Sequence, residues 1–254
     1  KAEQIEMSWR TGFALINHYV ANNQWQKAVE TGKKYTKKYP SNYYIGLKYA
    51  KALCETGQYQ PCISLLSRMQ VLPNEGSYAG RAVYREANLY RAMEQLSHKN
   101  YKQVVKSVET SKEWPENLGV GKPYDNMIDN RLEDYLEAKA AAGQGDSRKT
   151  SALLAAVADY TISRSHFESG NLLSALALRE SGKVQEADHM VAAWSTDFPE
   201  NRVVQWCTAI YRGEKEKAVG MLQSRNDQTN TTPWEASFRD SNFDLIVRLF
   251  STEQ

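Results

Sequence analysis

The sequence lacks the features that mark several common classes of protein. Its 254 residues include only three cysteines, Cys54, Cys62 and Cys207. This odd number, without zinc-ligand spacing, indicates neither a disulfide framework nor a zinc site. No apolar run reaches the roughly 18 residues of a membrane-spanning helix. The net charge is only +2, whereas nucleic-acid-binding chains usually have a basic block or stripe. We therefore expect no metal, no membrane span and no nucleic-acid partner.

The cysteines and the densest basic run each have an ordinary interpretation. We expect the cysteines to be small buried hydrophobes, with a Cys54–Cys62 bond across one helical turn as the alternative. The basic run KKYTKK, residues 33–38, is expected to be a solvated helix face.

Catalytic and metal-binding signatures are also missing. The acidic cluster at residues 125–134 lacks the alternating ligand spacing of a calcium loop, and Asp129 or Asn130 as a helix N-cap explains it better. The histidines lie far apart in the sequence, so no nucleophile–base pair is indicated. They are His18, His98, His166 and His189. We expect no enzymatic activity and no cofactor.

What the sequence does contain is an internal helical repeat. Trp25 and Tyr59 lie 34 residues apart, and each follows a turn that contains asparagine or glycine. A small residue comes three positions after each of them, Ala28 and Cys62, and a proline ends each segment. Glycine or asparagine permits the reversed backbone of a tight turn, and proline cannot continue a helix. The pattern therefore predicts a helix, a tight turn and a second helix.

The same unit recurs along the rest of the chain, where Tyr101, Ser147, Val184 and Lys215 occupy the position of Trp25. No alternating apolar and polar pattern competes, so we predict an all-α fold. A single repeat domain is expected over residues 1–254, with helical pairs at roughly 5–40, 42–73, 76–115, 127–160, 165–199 and 201–225, and capping helices at 232–251.

The C-terminal segment supports the capping helices. Thr232, Pro233 and Glu235 form the signature of a helix start. Apolar residues then follow at helical spacing, namely Phe243, Ile246, Val247 and Phe250. We expect this final helix to cover the open apolar face of the last pair.

These residues resemble the tetratricopeptide repeat, which has a large aromatic residue after the turn glycine, a small residue three positions later and a closing proline. The likeness covers most of residues 5–225. The third pair departs from it, with Lys99 where glycine is expected, and the fourth has no closing proline. The resemblance implies a right-handed α-α superhelix of about six helical pairs that binds a protein or peptide in its concave groove.

A weaker resemblance lies in WPENLGVGKPYDNMIDNRLEDYLEAKAAAGQGD, residues 114–146. It is similar to the C-terminal repeat region of a bacterial family of unknown function that also has a mutarotase-like β-sandwich domain. This implies an alternative function, an accessory helical module of an exported carbohydrate-active protein whose catalytic or β-sandwich domain is absent from this chain. Together with a first residue, Lys1, that is not methionine, it suggests a periplasmic or cell-surface location, with a cytoplasmic one as the alternative.

The stretch PENLGVGKPYDN, residues 115–126, contains the glycines and the lysine typical of a phosphate-binding loop but lacks the spacing of that motif. Counting back from Gly121 and Lys122, the first required glycine falls at Glu116 and the required serine or threonine at Pro123. We therefore predict an ordered connector at residues 116–128 between the third and fourth pairs. The residues expected to anchor it on neighbouring helices are Leu118, Tyr124, Met127 and Ile128.

The tetratricopeptide resemblance also implies which side chains line the concave groove, because the first helix of each pair supplies them. The candidate ligand contacts on these helices are Phe13, Asn17, Tyr44, Lys51, Glu86, Tyr135, Lys139 and Arg179. Tyr124 and Arg131 join them at the connector. For each residue the alternative is packing between neighbouring helices. Aromatic residues with a few positive charges suit an extended peptide.

Overall fold

A computed structural model describes residues 8–73, 78–162, 167–226 and 242–252. Within these residues the chain forms thirteen α-helices and no β-strand, which confirms the all-α prediction. The helices are α1 (Trp9–Ala21), α2 (Trp25–Lys38), α3 (Tyr43–Glu55), α4 (Tyr59–Leu66), α5 (Ala79–Ser97), α6 (Tyr101–Ser111), α7 (Arg131–Gly143), α8 (Ser147–Ile162), α9 (Gly170–Glu180), α10 (Val184–Asp197), α11 (Arg202–Tyr211), α12 (Lys215–Asn226) and α13 (Phe243–Thr252).

One turn conformation recurs between the two helices of each predicted pair. Six residues there have a positive φ angle: Asn23 (55°), Gly57 (75°), Lys99 (58°), Gly145 (79°), Gly182 (81°) and Gly213 (74°). In every case the next residue donates its backbone N–H to the carbonyl five positions earlier, at N–O distances from 2.8 to 3.0 Å. This is the 6→1 bond of the Schellman motif, which ends one helix with a left-handed residue. Lys99 adopts the conformation although it is not glycine.

The residue three positions after the start of the second helix packs inside the fold in five of the six pairs, and in the pair whose second helix begins at Ser147 this residue, Thr150, is half-buried. Ala28, Cys62, Val104 and Ala187 are inaccessible to solvent, and Ala218 is nearly so. A short side chain at this position lets the two helices approach closely. All three cysteines of the chain are buried and free, which confirms the buried-hydrophobe interpretation; no Cys54–Cys62 bond is formed.

The described residues divide into two compact units. Unit 1 consists of those within 1–92 and 106–128, and unit 2 of those within 93–105 and 129–254. Helices α5 and α6 contribute residues to both. That the chain forms one repeat domain stays a prediction.

In unit 1, helices pack in sequence order, with contacts of α1 with α2, α2 with α3, α3 with α4, and α1 with α3. Close approach depends on glycine at Gly12, where a Cβ atom would lie 2.3 Å from the ring of Tyr35. Because the Tyr35 ring is fully buried, it has no free space to move into.

The connector at residues 116–128 lies in unit 1 and has two short 3-10 turns, Glu116–Leu118 and Asp125–Met127. The Asn117 side chain donates to the carbonyls of Leu66 and Met69, at 2.9 and 2.8 Å. Leu118 is fully buried, as predicted for an anchor.

The prediction that Tyr124 and Met127 also anchor the connector is wrong. Tyr124 is 81% exposed and Met127 67% exposed, and Ile128 is half-buried. The physical reason is that Asn117 and Leu118 already fix the first turn against the end of α4, so the second turn projects into solvent.

In unit 2, α7, α9 and α11 contact one another in succession, and each also packs on the helix that follows it. The C-terminal helix α13 packs on α11 through Trp206, whose ring centre lies 5.3 Å from that of Phe243 and 6.4 Å from that of Phe250. Ile246 is fully buried. The helix expected from the apolar spacing is therefore present, whereas the start signal at Thr232, Pro233 and Glu235 lies outside the described residues.

Candidate functional site

Four aromatic side chains meet at the beginnings of α1 and α3, and we call them the aromatic cluster: Trp9, Phe13, Tyr43 and Tyr44. Tyr44 lies at its centre. Its ring stacks on Tyr43 at 4.3 Å and on Trp9 at 6.3 Å, and meets Phe13 edge-on at 6.4 Å. Tyr44 is 49% exposed, and the other three are half-buried. The cluster therefore presents a partly open apolar surface.

Helix capping fixes the position of the cluster. Ser8 caps α1 by accepting from the Thr11 backbone N–H, and Asn42 caps α3 by accepting from that of Ile45. The rings belong to the first two turns of these helices, so the caps determine where they lie. In the sequence, the cap residues Ser8 and Asn42 are each followed directly by an aromatic residue. This pattern could have pointed to Trp9 and Tyr43, which the groove prediction did not include.

Two cations border the aromatic cluster. The Arg10 guanidinium carbon lies 4.7 Å from the Trp9 ring centre, and the Lys48 ammonium lies 6.0 Å from that of Phe13. Such contacts hold the charges beside the rings, while Arg10 stays exposed. Asn17, the remaining predicted contact on α1, lies one turn after Phe13 and is half-buried.

Lys51 and Glu86 form an ion pair with each other. The Lys51 ammonium lies 2.6 Å from Glu86 Oε1 and 2.6 Å from Glu55 Oε1. Burial disfavours the charged form of Lys51, but the carboxylates of Glu86 and Glu55 outweigh burial and raise its pKa. The pair joins α3 to α5, so the structure places these two predicted ligand contacts in the role of a link between helices.

The predicted contacts of unit 2 also link successive first helices. Glu180 on α9 accepts from the Tyr135 hydroxyl at 2.6 Å and from the Lys139 ammonium at 2.8 Å, both on α7. Arg179 donates to the Tyr211 carbonyl on α11 at 2.8 Å. These contacts match the alternative of packing between helices.

Arg131 requires a correction, because its side chain is only 2% exposed. Its guanidinium donates to Asp129 and Glu168, at 2.8 and 2.7 Å, and to Thr161 and Asn171, at 2.7 and 2.6 Å. The group is held inside unit 2 by four partners, so it is not available to a ligand at the surface.

Neighbouring residues complete the Arg131 network. The guanidinium lies 4.6 Å from the Tyr160 ring centre. Gly170 makes room for it, since a Cβ atom there would lie 2.5 Å from the guanidinium carbon. Asn242, the residue before α13, donates to Asp129 at 2.9 Å. Asp129 also accepts from the Arg131 backbone N–H at 3.0 Å, whereas Asn130 is the N-cap residue of α7 and makes no capping bond with its side chain.

A shallow cleft of about 330 Å³ lies where α10, α11 and α12 meet. It is lined by Ser195, Phe198, Pro199, Val204, Gln205, Thr208, Arg212 and Lys217. The Ser195 hydroxyl already donates to the Val191 carbonyl at 2.9 Å. No sequence motif pointed to this cleft.

Over the residues that the structure describes, no three or more histidine, cysteine or acidic side chains are grouped to hold a metal ion. No helix in those ranges is long and apolar enough to cross a membrane.

The chain was compared with family models, curated proteins and solved structures, and none of them matches it. The similarity that the chain does display is internal, in the six turns with the same 6→1 hydrogen bond.

Proposed function

We propose that this chain is a non-enzymatic binding module of tetratricopeptide type. Six helical pairs would stack into a right-handed superhelix, with α13 covering its last pair. The recurring turn supports this proposal, because identical turns give successive pairs the same internal geometry. The succession of contacts among first helices, α1 with α3 and α7 with α9 and α11, agrees with stacking.

The ligand proposed for the module is an extended peptide, and the single observation on which this rests is the open aromatic cluster. Tyrosine and tryptophan bury a large rigid surface at little entropic cost, and they are frequent hot spots of binding. Arg10 and Lys48 add positive charge at the border of the rings. The cluster therefore suits a peptide with a bulky apolar side chain next to a carboxylate.

Peptide selection tests this function. A phage-displayed library of random dodecapeptides is selected against the purified chain, and the affinities of the recovered peptides are measured by calorimetry. We expect Tyr44→Ala to weaken binding at least tenfold, since a central aromatic anchor contributes about 2 kcal/mol or more. We expect the recovered peptides to be enriched in Asp or Glu beside an apolar residue.

Tyr78→Ala is the matched control, because Tyr78 is an exposed tyrosine of the same unit, 60% accessible, that does not belong to the aromatic cluster. Tyr124→Ala tests whether the exposed Tyr124 of the connector contacts the peptide, as the groove prediction expects. Peptides that bind Tyr44→Ala and the native chain equally well would contradict the proposal.

A further inference from the structure

The outward side of α2 is covered by lysines, and we call this surface the lysine face. It consists of the exposed residues Lys27, Lys33, Lys34, Lys37 and Lys38. The only acidic residue of α2 is Glu30. Five lysines and one glutamate give α2 a net charge of +4, whereas the net charge of the whole chain is only +2.

Helical geometry places the five lysines on one side of α2, where the exposed Glu30 also lies between them. At 100° per residue the lysines span an arc of roughly 140° and a length of about 16 Å. The buried residues of α2, Ala28, Val29, Gly32 and Tyr35, lie on the opposite side, and α2 packs there on α1 and α3. The lysine face is thus the solvent side of an element that is already anchored through its apolar side.

The helix dipole explains only some of these lysines. Lys37 and Lys38 lie in the last turn of α2, where cations interact favourably with the helix dipole. Lys27 and Lys33 lie outside that turn, so the dipole does not explain them.

The aromatic residues near the lysines are buried or half-buried, so their ring faces are not exposed to a partner. Lys34 lies 5.9 Å from the ring centre of Tyr35, and Lys38 lies 5.4 Å from that of Tyr39. Tyr35 is fully buried, and Tyr39 is half-buried. Nucleic-acid-binding surfaces that grip single strands expose aromatic faces on which bases stack, and the lysine face has none among these residues.

The composition of the face also separates the candidate partners. Lysine is a hydrated point charge, whereas arginine makes the bidentate contacts that recognise individual phosphates or carboxylates. Protein interfaces are depleted of lysine. A cluster of several lysines on one side of a helix is typical of surfaces that bind anionic lipid headgroups.

We infer that the lysine face binds an anionic lipid surface. The attraction is electrostatic and peripheral, since the apolar side of α2 is occupied by α1 and α3 and inserts nothing into the bilayer. Adsorption in this way orients unit 1 on the membrane. The inference is independent of peptide binding at the aromatic cluster, which lies on other helices.

Vesicle flotation tests this inference with the whole chain. Large vesicles of phosphatidylcholine with 30% phosphatidylglycerol are compared with vesicles of phosphatidylcholine alone, at about 50 mM and about 500 mM salt, on the scale set by screening. We expect binding to the anionic vesicles at low salt, and loss of binding at high salt or without phosphatidylglycerol. The double variant Lys33→Gln, Lys37→Gln should bind about 30-fold more weakly, because each lysine near an anionic surface contributes a factor of about five.

Lys102→Gln, Lys106→Gln is the matched control, because these two lysines are exposed on α6 with the same spacing. It should bind like the native chain. Equal binding to both vesicle types, or an unchanged affinity of the Lys33, Lys37 variant, would overturn the inference. Tighter binding to a double-stranded DNA oligonucleotide than to the vesicles, lost in the same variant, would assign the face to nucleic acid and also overturn it.

Discussion

Arg131 shows how much depends on a single charged side chain in the interior of unit 2. A buried cation is tolerated only when charges and hydrogen bonds replace the water that it has lost. Asp129 and Glu168 supply the charge, and Thr161 and Asn171 supply neutral acceptors. The network joins the start of α7 to α8 and to the residues around the start of α9, so it fixes the positions of three helix ends.

Replacing Arg131 by methionine should destabilise the protein by about 3–5 kcal/mol. The physical reason is that two carboxylates would keep their partly buried positions without their cation. Urea denaturation followed by circular dichroism measures the change in the free energy of unfolding.

Lys122→Met is the control for the Arg131 prediction. It removes the ion pair of Lys122 with Asp125, whose side chains are 55% and 87% exposed, and should cost less than about 1 kcal/mol. A loss below about 1 kcal/mol for Arg131→Met as well would show that the network is not a stabilising element.

At the scale of the elements, the repeated turn is the strongest regularity of the chain. Five of the six turns place glycine or asparagine at the left-handed position, and the turn at Lys99 does not. A left-handed conformation costs an ordinary residue roughly 1–2 kcal/mol. The Asn100 N–H still donates to the Gln95 carbonyl at 2.8 Å, so the hydrogen bond forms in spite of that cost.

Lys99→Gly should therefore stabilise the protein by about 0.5–1 kcal/mol, since the relief of the left-handed strain exceeds the entropy that glycine adds to the unfolded chain. Gly182→Ala, at the same position of another turn, should destabilise it by about 1 kcal/mol. Thermal unfolding measures both changes.

Gly220→Ala controls for glycine replacement as such. Gly220 lies within α12, and a Cβ atom there would meet nothing within 4 Å, so alanine should stabilise by about 0.5–1 kcal/mol. If Lys99→Gly instead lowers stability, the Lys99 side chain makes a contribution that outweighs its backbone strain.

The elements were predictable from the sequence to the extent that local rules determine them. The turns and the final helix follow from glycine, proline and apolar spacing, which act within a few residues. Arg131 was misplaced because burial of a charge depends on Glu168 and Asn171, distant in sequence. Tyr124 was misplaced as an anchor because composition does not reveal which apolar residues of a connector are buried against neighbouring helices. The aromatic cluster was found only in part, since it forms between two helices.

At the scale of the whole molecule, most contacts join helices that are neighbours in sequence. In such a fold the stability of a region depends mainly on adjacent helices. A destabilising substitution near one end of the chain should therefore loosen mainly the helices next to it. The packing of α13 on Trp206 gives a defined place to test this.

Phe243→Ala should loosen unit 2 and leave unit 1 protected. Phe243 is 2% exposed, and its loss should cost about 3 kcal/mol or more. Hydrogen exchange followed by mass spectrometry should show faster exchange in α11 and unchanged exchange in α1–α4.

Val219→Ala is the control for the hydrogen-exchange experiment, because this apolar residue of α12 is 41% exposed and its truncation should change little. Equal acceleration of exchange in both units by Phe243→Ala would show that the chain unfolds as one cooperative body.

The sequence-ordered packing of α1 to α4 also bears on how the protein is made. A ribosome releases the chain from its N-terminus at about 5–20 residues per second, and each of these helices finds its neighbour within the segment already synthesised. Tyr35 can thus close against Gly12 long before Trp206 exists. Early burial of this kind shortens the time for which nascent apolar surface is open to chaperones and to aggregation.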